Sequence, residues 1–178
     1  MLKRFGLFTL SFLLCGLALA QSQQAIRDQL FGATDALKKE ADALHASVLA
    51  PEAYGEAMKL YQEAGDTLEK GKDIEGVRKD LSEADGHFKK ATEASKLAQV
   101  TFKDTLAARA DAEKAEAAKY MAKDWGKAEQ ALQAAAMELE AGNLKKASKS
   151  ATDVTKLYRT VESKSINAKA KAAGKAKS

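Results

Sequence analysis

The chain has 178 residues, of which 46% are hydrophobic and 30% charged, with one proline, one cysteine and a formal charge of +4. That balance suits a packed core and excludes a fully disordered polymer, and a single cysteine excludes a disulfide framework. The overall basicity does not describe a nucleic-acid-binding face, because the excess charge is confined to the two ends.

The first twenty residues have the three parts of a secretory signal. Lys3 and Arg4 start it, Phe5 to Leu17 is apolar, and Ala18-Leu19-Ala20 offers small residues for cleavage after Ala20. The apolar run is shorter than the ~20 residues of a membrane-spanning helix, so no transmembrane segment is expected in the mature chain. Cys15 follows Leu14 rather than a small residue, which argues against lipoprotein processing. Removing Lys3 and Arg4 lowers the charge to +2. The stretch from Ser163 holds Lys164, Lys169, Lys171, Lys175 and Lys177 and no acid, so it carries +5 and leaves the body from residue 21 to 162 at −3.

The body reads as all helix. Ile26, Leu30, Thr34, Leu37, Ala41, Leu44 and Val48 lie on one helical stripe, predicting a first helix from about Gln23 to Val48. Pro51 suits the first turn of a second helix, which runs to about Lys70. Gly71 and Gly142 stand where helices end in a left-handed residue, with Asp73 and Asn143 as candidate N-caps of the helices that follow. Two tight antiparallel hairpins result. The third helix has no strong stop signal between Asp73 and about Tyr120. If unbroken it spans about 48 residues, roughly 70 Å at about 1.5 Å per residue.

The pattern is stated twice. Tyr54, Ala57, Tyr61, Ala64, Leu68 and Gly71 recur 71 positions later as Trp125, Ala128, Leu132, Ala135, Leu139 and Gly142. Ile74, Val77, Leu81, Ala84, Phe88 and Ala91 recur 70 positions later as Leu144, Ala147, Ala151, Val154, Tyr158 and Val161. Small and apolar positions and the turn glycine are kept while the charges between them drift, as a buried seam and a solvated face require. The expected architecture is an elongated antiparallel helical bundle of two tandem three-helix units, at 21–96 and 97–166, sharing the long helix in a spectrin-like manner. Residues 167–178, rich in lysine and alanine, are expected to form a disordered basic tail.

Catalytic, metal and cofactor sites are not expected. A chain cleaved at Ala20 has no cysteine, its histidines, His45 and His87, fall on different helices, and no phosphate loop, nucleophile elbow or HExxH occurs. Tyr54, Tyr61, Tyr120 and Trp125 could form a sugar or peptide platform, but Tyr54 and Trp125 are repeat copies of one another and read better as hairpin packing. The tail lysines Lys164, Lys169, Lys171, Lys175 and Lys177 either solubilise the end or tether a polyanion. A TPR-like peptide-binding reading is weakened by the period, since such units repeat about every 34 residues.

Ala50-Pro51-Glu52-x-Tyr54-x-x-Ala57, Leu60-Tyr61-x-x-Ala64 and Gly71-x-Asp73-Ile74-x-x-Val77-Arg78-x-x-Leu81-x-x-Ala84 resemble the N-terminal helical region of bacterial envelope proteins of the OmpA family. Trp125-x-Lys127-Ala128-Glu129, Leu139-Glu140-x-Gly142-Asn143-Leu144 and Leu157-Tyr158-Arg159 extend the likeness. In those proteins the region precedes a C-terminal peptidoglycan-binding domain, which has no counterpart within these 178 residues. The resemblance implies a periplasmic, non-enzymatic scaffold or adaptor with an envelope protein or cell-wall polymer as partner. The thin alanine-rich seams leave Leu97 and Val100 off the main stripe, a second stripe through which copies could self-associate, and the mildly acidic body argues against nucleic acid as a ligand.

Overall fold

In a computed structural model, the backbone is described for residues 11–71 and 73–175, and side-chain burial for 24–71 and 73–174. The start of the signal, Lys3 to Leu10, and Lys177 lie outside the described residues. The described chain is all α-helical: α1 (Ser11–Ala43), α2 (Ala46–Leu49), α3 (Pro51–Glu69), α4 (Ile74–Thr101), α5 (Lys103–Lys114), α6 (Ala117–Tyr120), α7 (Ala122–Glu140) and α8 (Leu144–Lys175). None of the described helices is long and apolar enough to cross a membrane.

Helix α4 packs between α1 and α3, and α8 packs between α5 and α7. The first group is held by Phe31, Ala64, Val77 and Leu81 at one end and by Ala41, Ala46, Ala57, Ala84, Phe88 and Ala91 at the other. The second is held by Phe102, Leu132, Leu139, Val154, Tyr158 and Val161 among nine buried alanines. Alanine lets the axes approach closely and contributes little hydrophobic energy, so the few large side chains carry most of the stabilisation, at about 1.5–3 kcal/mol each.

Both hairpin turns use the left-handed glycine that the sequence calls for, with φ of 64° at Gly71 and 79° at Gly142. At the second, Asn143 N–H donates to Glu138 O at 2.8 Å and Gly142 N–H to Leu139 O at 2.9 Å, the paired bonds of a Schellman ending. Asp73 caps α4 by accepting from Gly76 N–H at 2.9 Å. A Cβ on Gly76 would lie 2.4 Å from the Asp73 carboxylate, so a larger residue there would turn that carboxylate aside. Asn143 differs from the capping role expected of it. Its side chain donates to the Glu138 carboxylate at 3.0 Å.

Two predicted helices are interrupted. The first stops at Ala43, and the chain turns through His45 (φ 56°, ψ 39°) into α2 and then through Ala50 (φ −146°, ψ 58°) into α3. The long third helix is broken at Phe102 (φ −106°, ψ 21°) and again at Glu116 (φ 58°, ψ 38°), which leads into α6 and, through Met121 (φ −134°, ψ 40°), into α7. His45 and Glu116 are 71 residues apart, as are Ala50 and Met121. The repeat therefore includes a double bend built without glycine, and the shared helix gives way at Phe102, where the chain leaves the α3 seam and its ring enters the second core.

A left-handed residue with a side chain costs roughly 1–2 kcal/mol relative to the right-handed form, and glycine avoids most of it. His45→Gly is expected to stabilise the fold by about 0.5–1 kcal/mol, whereas His45→Val should destabilise it by at least as much. Urea midpoints of the two variants that moved in the same direction would contradict the bend.

Helix α8 continues through Lys175, so residues 167–175 extend the last helix where composition alone predicts disorder. Alanine and lysine are strong helix formers, and a helix already nucleated on a buried seam propagates through them without needing anything to bury.

Candidate functional site: the junction between the two helical groups

Where the two groups meet, an apolar plug and a side-chain cap join elements far apart in the chain. Leu49, in the first group's α2, is 2% exposed and packs in the second group's cluster with Phe102, Leu132 and Leu139. The first turn of α3 meets the last turn of α7, and the Glu140 carboxylate accepts from Glu52 N–H at 3.0 Å and Ala53 N–H at 2.9 Å. Those N–H groups have no partner within their own helix, so Glu140 supplies from another element the acceptor that an N-cap side chain would supply locally.

Beside this contact lies an open groove of ≈ 630 Å³ with Glu52, Glu56, His87, Lys90, Glu93 and Leu97 along it and Leu139 to Ala141 at its end. Leu97 is 51% exposed and Val100, one turn on, is 78% exposed. The sequence places both off the main seam, and Leu97 makes an apolar edge to an otherwise charged trough. A smaller cleft of ≈ 310 Å³ is lined by His45, Val48, Leu49, Gln99, Leu106 and Arg109. His45 and His87 thus line different clefts, and no group of three or more potential metal ligands occurs among the described residues.

The copies diverge in one partly buried polar network. In the second group Arg109 donates to both oxygens of Glu129, at 2.8 and 2.9 Å, and pairs with Glu113 at 2.7 Å. Its guanidinium also lies 5.4 Å from the Trp125 ring centre, and Tyr158, fully buried, donates to Glu129 at 2.5 Å. The corresponding first-group positions are Lys38, Met58, Asp42, Tyr54 and Phe88. There Tyr54 and Lys38 both donate to Asp42, at 2.5 and 2.7 Å. The changes are paired: Phe88 with Met58 is an apolar contact, and Tyr158 with Glu129 is a hydrogen bond, so each copy keeps its partners satisfied.

Burial works against ionising Asp42, but the hydrogen bonds from Lys38 and Tyr54 outweigh it and hold the carboxyl below its ordinary value. Burial, then the hydrogen bond to Glu129 and that carboxylate's charge, push the Tyr158 phenol far above its ordinary value. A folded value above the unfolded one means that the neutral phenol contributes stability below about pH 10, and that this is lost as the pH rises further. In an alkaline titration followed by phenolate absorbance, one tyrosine is expected to ionise only together with loss of the helical signal, and Tyr158→Phe should remove that late component. Complete phenolate formation in the folded chain would contradict the buried assignment.

The aromatic residues considered as a platform are consumed by packing. Tyr54 meets Phe88 edge-on at 5.9 Å, Tyr61 meets Phe31 at 5.3 Å, and Trp125 lies 5.5 Å from Tyr158. Tyr120 is half-buried beneath Lys119. Of the tail lysines, Lys164 donates to Asp124 at 2.7 Å and Lys169 pairs with Glu116, so both fold back onto the second group. The two contacts hold Asp124 and Glu116 below the ordinary carboxylate range, with Lys119 adding to the effect on Glu116. Lys171 is exposed, and Lys175 ends α8. No protein-family model, curated protein or solved structure matches the chain.

Proposed function

We propose that the chain is an exported, non-enzymatic structural or adaptor protein of the bacterial cell envelope that holds a protein or cell-wall partner along its helical faces. The observation that carries this reading is the junction groove, where the exposed Leu97 edges a mainly acidic trough lined by Glu52, Glu56, Glu93 and Glu140 with Lys90 among them. An apolar edge within a charged rim suits a protein segment better than a small molecule. The export signal and the OmpA-family resemblance support the compartment and the scaffold role.

The test is a photo-crosslinking side chain at Ala94, one turn from Leu97, in the exporting cell. A discrete adduct that disappears with Leu97→Asp is expected. If Leu97→Asp leaves every adduct in place while binding to anionic polymer is lost with the lysines after Ser163, the tail rather than the groove is the binding element.

A further inference from the structure

The internal junction is a contact between two versions of one repeat, so both of its halves occur a second time at the ends of the molecule. Leu49, which plugs the second core, corresponds to Tyr120. Glu52 and Ala53, whose N–H groups Glu140 caps, correspond to Lys123 and Asp124. Glu140 itself corresponds to Glu69, and Leu139 to Leu68. We propose that copies of this chain associate head to tail, the α6–α7 corner of one copy receiving the end of α3 of the next as the α2–α3 corner receives the end of α7 within the chain.

Three observations support it. The N–H groups of Lys123 and Asp124 have no hydrogen-bond acceptor among the described residues, whereas their counterparts are both bound by a glutamate, and a glutamate stands at the matching place on the other end. Burial follows occupancy: Leu139 and Ala136, covered at the junction, are 5% and 0% exposed, while their counterparts Leu68 and Gly65 are only half-buried. Ile26 and Ile74, at that same open end, are 47% and 39% exposed. Charge is complementary as well, since the receiving end includes the strongly basic last turns of α8 and the other end exposes Asp28, Asp66, Glu69 and Glu75.

One segment opposes growth. At the internal junction α4 crosses between the groups over residues 94–101, whose counterparts in α8 are 164–171. In an assembly that line is claimed both by α8 of one copy and by the start of α1 of the next. Every described α8 side chain beyond Ser165 is exposed except the half-buried Ala168, so the part of this stretch after Ser165 gives way by releasing the Lys169–Glu116 pair, while Ser165 stays bound to Ala115 O. A contact of this kind is heterologous and does not cap itself, so it extends into chains of copies.

Sedimentation velocity of the chain from Gln21 to Ser178 tests it, with far-UV spectra as a folding control because Glu69 and Lys123 are both exposed. Wild type should associate progressively with concentration, and Glu69→Lys, which removes the acceptor, or Lys123→Pro, which removes an N–H donor at a first-turn position that tolerates proline, should each weaken association at least about tenfold. An equimolar mixture of the two variants retains one intact contact and should give dimers and nothing larger. A wild-type chain that stays monomeric at its solubility limit, a variant that associates as wild type does, or a mixture that stays monomeric or grows past the dimer would each overturn the proposal. These outcomes do not depend on what the junction groove binds.

Discussion

Phe102→Ala is expected to destabilise the protein by about 3–5 kcal/mol, the range for removing a buried aromatic ring. Phe102 is 1% exposed, stands at the break between α4 and α5, and packs in the second core with Leu49 and Leu132. Its counterpart, Phe31, is equally buried but lies within the uninterrupted α1, against Val77, Leu81 and Tyr61. Phe31→Ala should therefore cost a similar amount in the first group without disturbing the junction. Against a total stability of roughly 5–15 kcal/mol, either loss is a large fraction. Urea unfolding of both variants checks this, and a Phe102→Ala midpoint equal to that of wild type would show that the ring is not in the core.

The second large effect is on cooperativity. Leu49→Asp removes an apolar plug and places a carboxylate against the buried Phe102, Leu132 and Leu139 side chains, at a combined cost of about 3–5 kcal/mol. Because Leu49 belongs to one helical group and packs in the other's core, the loss falls on the contact between them. Calorimetry should show the single unfolding transition of wild type dividing into two. A single transition at the wild-type temperature would mean that the groups are coupled through the α4–α5 connection alone.

The fold was legible where physical constraint leaves a residue type behind. Gly71 and Gly142 were readable because only glycine enters the left-handed region freely, and the seams were readable because alanine and leucine recur at helical spacing. His45 and Glu116 adopt the same conformation with ordinary side chains, so no residue type marks the double bend, and both helices were extended through it. A signal did exist one step earlier. Phe31-Gly32-Ala33-Thr34 and Phe102-Lys103-Asp104-Thr105 share Phe-x-x-Thr at the 71-residue offset, and all four of these Phe and Thr side chains are buried. Following that offset back from Tyr54 would have matched Ala46 with Ala117 and placed the start of α5 opposite Phe31.

The candidate site was less legible, because its defining contacts join elements far apart in the chain. Glu140 reads as one more surface acid beside the turn glycine, and only the fold brings it to Glu52 and Ala53, 88 and 87 residues away. The tail lysines were visible as a group, but their partners Asp124 and Glu116 were not, since α8 had first to continue as a helix past Ser165. Leu97 and Val100 fall off the seam in the sequence pattern, and exposure is what that position predicts.

The central claim is that one packing unit, bends included, is built twice. Spin-label pairs at matched exposed positions test it directly, because a chain starting at Gln21 contains no competing cysteine. Labels at Ala33 and Ser82 report the α1–α4 packing, and labels at Asp104 and Thr152, the counterparts of those positions, report α5 against α8. Dipolar spectroscopy should return the same mean distance for both pairs. Distances that differ by a helix diameter, about 10 Å, would contradict a repeated unit.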